Sequence, residues 1–235
     1  GSRIDIHGPG RSVTLIAWIK RQPDSGPHAI AGIWHEGTDL ANHGTAAQRV
    51  ERGQRQYALF AGLAARPYGV AGHVSDNGAS SFGDRYARHI AVTRAEMPPG
   101  EWTMAALVFD NARDTVTCSL NGVAEEHWIE VPGQHPFFQH ATRAWERGEY
   151  RPPAAFVRVE AGHLKALRAN PAWFPHDLWS PPAGSGGPFT IGRVIHMGRN
   201  PTSPGRLGGV AVFDRALSEK ELRRLARLTL GTQGR

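Results

Sequence analysis

Two apolar segments, residues 102–109 and 115–120, are separated by the polar run Asp110-Asn111-Ala112-Arg113-Asp114. In the second, Val116, Cys118 and Leu120 alternate with Thr115, Thr117 and Ser119, the period of two that a half-buried strand requires. Asn121-Gly122 then supplies a turn that tolerates positive φ. These residues predict an antiparallel pair, and with it a sheet protein.

The same pattern recurs along the chain. In residues 13–20, Val13, Leu15, Ala17 and Ile19 face one way, and Thr14, Ile16, Trp18 and Lys20 the other. Both faces carry apolar residues, as in a strand covered on two sides. Residues 29–34, 56–63 and 69–74 read as further strands, and strand character returns at 189–192 and 209–213. The 28 Gly and 17 Pro punctuate them with turns. A helix is predicted after Ser218, which caps it while Glu221 reaches back three residues later; Leu222, Leu225 and Ala226 mark its docking face. At 235 residues, one all-β domain accounts for the whole chain, residues 1–235.

Residues 125–182 break the pattern. Trp128, Phe137, Phe138, Trp145, Tyr150, Phe156, Trp173, Phe174 and Trp179 are interleaved with eight prolines. The segment reads as an insertion that packs through its aromatics, with a short helix expected over 159–168 because Leu164 and Leu167 are three apart. Asn170-Pro171 would end that helix.

The net charge of +6 is diffuse: no run of five Lys and Arg occurs, only groupings such as Arg49, Arg52 and Arg55 or Arg223 and Arg224. A specific nucleic-acid partner is therefore not expected. The one cysteine, Cys118, falls on an apolar strand face and reads as core. The first residues lack the apolar region of a signal peptide, and no apolar run approaches the roughly 20 residues of a membrane span.

Taken in order, residues 13–20, Gly100-Glu101-Trp102-Thr103, Leu120-Asn121-Gly122, Phe189-Thr190-Ile191-Gly192-Arg193 and residues 208–222 resemble the successive signatures of laminin-G-like and concanavalin A-like lectin-glucanase domains. The resemblance spans nearly the whole chain. It implies a two-sheet antiparallel jelly-roll sandwich with Trp102 plugging the core, and a carbohydrate- or protein-binding module attached to a larger enzyme or assembly. Some members bind calcium at a sandwich rim. The chain is also similar in appearance to domains in the large subunit of N,N-dimethylformamidase-like amidohydrolases, which implies a non-catalytic part beside a catalytic domain or subunit.

Several residue groups could carry chemistry. His35, Glu36 and Asp39, with His43 nearby, could gather as ligands in a loop, although His35-Glu36 lacks the second His four residues on that a helical zinc face needs. Asp110 to Asp114 offers oxygen ligands at a turn, the kind of site calcium uses; hairpin tips also favour Asp and Asn for backbone reasons. Asp76-Asn77 at a turn could face a sugar. Gln54-Arg55-Gln56-Tyr57 with His73 could serve a polysaccharide lyase, with Tyr and His as acid and base. The alternating carboxylates of a sandwich glucanase are missing, since Glu125 and Glu126 are adjacent. No catalytic residues, metal or cofactor are assigned from the sequence. The expected function is a non-catalytic module that recognises a carbohydrate or other polar ligand through His35, Glu36, Asp39, Tyr57, Asp76 and Asn77. The alternatives are an interaction domain docked through the aromatic insertion, and a polysaccharide lyase or glycosidase.

Overall fold

The computed structural model describes residues 3–23, 27–35, 54–64, 69–78, 89–184, 186–194 and 205–230. Two five-stranded antiparallel sheets face each other. The first contains β1 (Val13–Arg21), β6 (Trp102–Asp110), β7 (Thr115–Leu120), β11 (Ala172–Trp173) and β13 (Gly205–Phe213), in the order β11-β7-β6-β1-β13. The second contains β2 (His28–His35), β3 (Gln54–Ala61), β4 (Gly69–Val74), β5 (His89–Glu96) and β12 (Thr190–Ile191), in the order β12-β2-β3-β4-β5. A small third sheet, β8-β10-β9, is made of β8 (His127–Ile129), β9 (Val157–Glu160) and β10 (His163–Asn170). Among the described residues two α-helices accompany the sheets, α1 (Gln139–Glu146) and α2 (Glu219–Leu230). Among the described residues no helix is long and apolar enough to cross a membrane.

The alternation read from residues 13–20 decides the layering. Val13, Leu15, Ala17 and Ile19 enter the core between the sheets, with Leu59, Val70, Val74, Leu107, Phe109 and Cys118. Ile16 points outward, where it joins Met104, Ala106 and Val108 beneath Leu217, Leu222 and Ala226 of the closing helix region. That helix begins as expected: Ser218 Oγ accepts from the Glu221 N–H at 3.3 Å, and Glu221 Oε2 accepts from the Ser218 N–H at 2.8 Å. Asn121 and Gly122 both take positive φ, 52° and 78°. A Cβ at Gly122 would lie 2.5 Å from the Arg223 backbone nitrogen, so only glycine lets α2 come this close.

Three features differ from the sequence reading. Residues 159–168 are not a helix but most of the hairpin β9-β10, turned by Ala161 and Gly162 at φ 48° and 82°. A register shift between Leu164 and Ala166 brings Leu164 and Leu167 onto one buried face, so the bulge reproduces a helix-like spacing in a strand. The insertion's helix lies earlier, at Gln139–Glu146, burying Ala141 and Ala144. Trp102 does not plug the core: it is partly exposed, and its ring would meet a Cβ at Gly208 at 3.0 Å. Residue 102 shares the outward parity of Met104 and Ala106, which explains its place. Strand β5 was not anticipated, because His89 to Glu96 mixes small, apolar and charged residues without a clear period.

Candidate functional site

The central strands leave little sheet surface for a ligand. β4 is buried at every residue, and β6 at all but its two ends. On the outer face of the second sheet, Trp34, Ala58, Phe60, Ala71, Ile90 and Val92 are covered by Phe138, Tyr150, Leu164 and Leu167 of the insertion. The insertion's aromatics are accordingly turned inward. Phe138 and Tyr150 lie in this second core, and Phe174 lies in the first, 5.6 Å from Phe109 between ring centroids. Trp128 and Trp145 are each capped by an arginine, Arg158 at 4.2 Å and Arg151 at 4.3 Å from the ring centroids.

Polar groups instead converge at one end of the sandwich, where the turn after β4, the tip of the β6-β7 hairpin, the N-terminal segment and residues 174–184 meet. Gln56 Nε2 donates to Asp5 Oδ1 at 3.1 Å. Ser75 N–H donates to the Gln56 carbonyl and Trp179 N–H to the Ser75 carbonyl, both at 2.9 Å. Ser75 Oγ accepts from the Gly78 N–H at 3.0 Å and closes the turn that displays Asp76 and Asn77. Asp76 Oδ2 lies 3.6 Å from Nδ1 of His176. His7 stands 3.8 Å from Asp5 and places its Nδ1 3.1 Å from Ser180 Oγ. Asp177 Oδ1 accepts from the Gly10 N–H at 3.0 Å and from Asn111 Nδ2 at 2.9 Å, tying the hairpin tip to the same rim. The indole of Trp179 lies half-exposed against Gly78, whose Cβ would come within 2.6 Å of it.

Two turns singled out in the sequence, Asp76-Asn77 and Asp110 to Asp114, therefore share one rim. His35 ends β2 opposite Gln54. Since β2 and β4 both run antiparallel to β3, His35 lies at the same end of its sheet as the Asp76 turn. Glu36, Asp39 and His43 lie outside the described residues. Tyr57 sits in the inter-sheet core with its hydroxyl donating to the Ile4 carbonyl. Burial, and secondarily the charge of Asp5, push its phenol pKa well above the ordinary value.

The lyase arrangement does not form. His73 lies on the opposite face of the sheet from Tyr57, with ring centroids 5.1 Å from Trp34 and 5.3 Å from Phe60. The register shift at Ile33/Trp34 turns Arg55 to that side too, its guanidinium 5.2 Å from the Trp34 ring centroid. A tyrosine and a histidine on opposite faces cannot serve one substrate atom as acid and base. Nor, among the described residues, do three or more His, Cys, Asp or Glu side chains group so as to hold a metal ion. At the hairpin tip, Asp110 lies 3.7 Å from Arg113, and Asp114 takes the left-handed conformation.

Sequence reasoning missed Asp5, His7, His176, Asp177 and Trp179. Apart from the Asp5–His7 contact, the pairings that bring them to the rim span about 50 to 170 positions, and no local pattern announces such pairings.

Strand order, the face-to-face sheets and the closing helix define a concanavalin A-like β-sandwich. No protein-family model matches the sequence, and no curated protein matches it. Among solved structures the chain is similar to a protein from Bacteroides ovatus whose carbohydrate-binding assignment is provisional, with TM-score 0.50 and 13% identity over 94% of this chain. The chain spans 42% of that protein's length. It also resembles the CBM40 of a Ruminococcus gnavus sialidase, with TM-score 0.47 and 13% identity over 92% of this chain and 83% of the other. A heptameric pentraxin from Limulus polyphemus gives TM-score 0.46 and 12% identity over 92% and 70%. At such identities the likeness concerns the fold alone.

Proposed function

We propose that this chain is a non-catalytic binding domain that recognises a carbohydrate at the rim formed by Asp76, Asn77 and Trp179. The observation that carries the reading is the contrast between central strands buried on both faces and a rim where these polar groups stay half-exposed beside an indole. A carboxylate and an amide together accept from and donate to neighbouring hydroxyls, while an indole offers apolar area to the C–H face of a sugar ring. The assignment of the Bacteroides ovatus neighbour points the same way.

In this reading His35, with Glu36 and Asp39 following it in the chain, adds to the ligand surface, since His35 ends its strand at the same side. Tyr57 acts from beneath by holding Ile4, and so positions Asp5. The domain would serve a larger polypeptide by bringing it to a polysaccharide or glycoprotein.

A glycan array identifies the ligand, and calorimetric titration of the strongest hit measures it. Asp76→Ala and Trp179→Ala should each weaken binding about tenfold, the loss expected for one charge-assisted hydrogen bond or one aromatic contact. If the array shows no bound glycan of any class, the reading fails.

A further inference from the structure

On the outer face of the first sheet, α2 covers Ile16, Met104 and Ala106, and its last turn reaches Trp18, whose Nε1 donates to Thr229 Oγ1 at 2.7 Å. One row further on, the register sets three side chains in line on that face, Trp102 of β6 opposite Lys20 of β1 and Lys20 opposite Arg206 of β13. Two cations directly opposite each other repel. Among the described residues neither has an ion-pair partner, and Glu101, beside Trp102 in the chain, pairs with neither. By contrast Arg158, Arg168, Arg215 and Arg223 each hold a carboxylate.

Two glycines make room for the indoles. A Cβ at Gly208 would lie 3.0 Å from Trp102 Cζ3, and a Cβ at Gly209 would lie 3.6 Å from Trp18 Cε3. Gly208 is on β13, two strands from β6, so the Trp102 side chain lies across the sheet over β1 to reach it. Its other side joins neither the inter-sheet core nor the cluster beneath α2 and stays partly exposed. The indole N–H groups of Trp18, Trp128 and Trp145 are each bonded, whereas that of Trp102 donates to no group among the described residues.

We propose that Trp102, Lys20 and Arg206 form a second ligand site, for an acidic sugar such as a uronate or a sulfated hexose; the inference takes its ligand class from the carbohydrate reading but not its place. The C–H face of a sugar ring rests on the exposed side of the indole, and a carboxylate or sulfate on the ring reaches the two cations and relieves their repulsion. The unspent indole N–H donates to a hydroxyl or acid oxygen at the ring edge. Two cations match one or two acid groups and are too few for the phosphate track of a nucleic acid. Since β6 runs from Trp102 to the hairpin tip at the rim, the site lies roughly 25 Å from Asp110, at the opposite end of the sheet.

The test compares matched probes, trigalacturonate against its methyl ester and 3′-sulfolactose against lactose, by calorimetric titration. They are measured with the unmodified chain, the double variant Lys20→Gln, Arg206→Gln, and the single variants Trp102→Ala and Asp76→Ala. At low salt the acidic member of each pair should bind at least about tenfold more tightly than its neutral partner, and the preference should shrink as salt rises. The double variant should abolish the preference with Tm unchanged or raised, because a repelling pair is removed. Trp102→Ala should weaken the acidic probes, and Asp76→Ala should leave the preference intact. No acidic preference, one that survives the double variant, or one lost in Asp76→Ala overturns the site. Equally tight binding of a charge-matched oligothymidylate, lost in the same double variant, overturns its assignment to sugars. Neutral glycans bound at the rim without any acidic preference leave the first reading standing and bring down this one; acid-selective binding untouched by Asp76→Ala, with no neutral glycan bound, does the reverse.

Discussion

The side-chain amide of Asn170 grips the backbone of Cys118 on both sides, its Oδ1 accepting from the Cys118 N–H at 2.8 Å and its Nδ2 donating to the Cys118 carbonyl at 2.9 Å. The pairing of Ala172 with Val116 and of Trp173 with Thr115 would, if continued, bring residue 170 opposite 118. There the chain leaves for the small sheet, and a side chain takes over the ladder. The same Nδ2 reaches the Glu125 carbonyl at 2.9 Å, so one buried residue joins β7, β10 and the start of the insertion.

Asn170→Leu keeps the branched shape of the side chain, with two somewhat larger methyl groups in place of the amide atoms, and removes every one of these bonds, leaving buried backbone groups unmet. Its expected cost is about 3 kcal/mol or more, read as a shift in the urea midpoint at unchanged slope. A loss below about 1 kcal/mol would show that the amide is not what holds the insertion to the sandwich.

Glu221 should titrate far below an ordinary carboxyl, at about 2, because the Arg215 guanidinium and then the N–H and hydroxyl of Ser218 hold its ionised form. The folded-state value is depressed, so its stabilising effect is complete above the unfolded value near 4.5 and fades as pH falls from there toward about 2. Carboxyl chemical shifts followed by NMR give the midpoint directly. Ser218→Ala should raise it and lower Tm; an unchanged midpoint would mean that the cap does not operate in solution.

Cys118 should be inert to thiol reagents in the native protein. Its thiol is buried, 3.4 Å from the Ala91 carbonyl, and burial pushes its pKa up, so little thiolate is present at neutral pH. Ellman's reagent should count one thiol only after denaturation, and rapid labelling of the folded chain would contradict the core packing. Gly72→Ala probes the same place: its Cβ would lie 2.4 Å from Leu107 Cδ1 and 2.8 Å from Cys118 Sγ, and this overpacking should cost about 1–3 kcal/mol.

Gly78→Ala should damage the rim more than the core. The residue has φ +69°, and its Cβ would sit 2.6 Å from the Trp179 indole, so the indole must move. A stability loss of about 1–2 kcal/mol is expected, with altered near-ultraviolet circular dichroism and weakened glycan binding. An unaltered aromatic spectrum would mean that Trp179 does not rest on this turn.

The strands at 13–20, 69–74 and 115–120 could be read from sequence because each alternates or runs apolar between turn residues. The capping box at Ser218 and Glu221 and the positive-φ turn at Asn121-Gly122 were equally legible. The insertion was not, since a bulge between Leu164 and Ala166 mimics helical spacing, and proline and aromatic content specify neither strand nor helix. Asp76-Asn77 could be seen as a turn, but its neighbours could not.

The sandwich is written into the chain locally: period-two burial and turn chemistry act between residues close in sequence, and they leave their pattern wherever a strand is half-buried. Which surface stays available is settled only when the layers assemble. The insertion covers the outer face of the second sheet, Tyr57 and His73 fall on opposite sides of it, and Asp5, Gln56, Asp76 and Trp179 meet at one rim. Contacts spanning 50 to 170 residues depend on register, bulges and packing across layers, and those are properties of the assembled chain rather than of any segment.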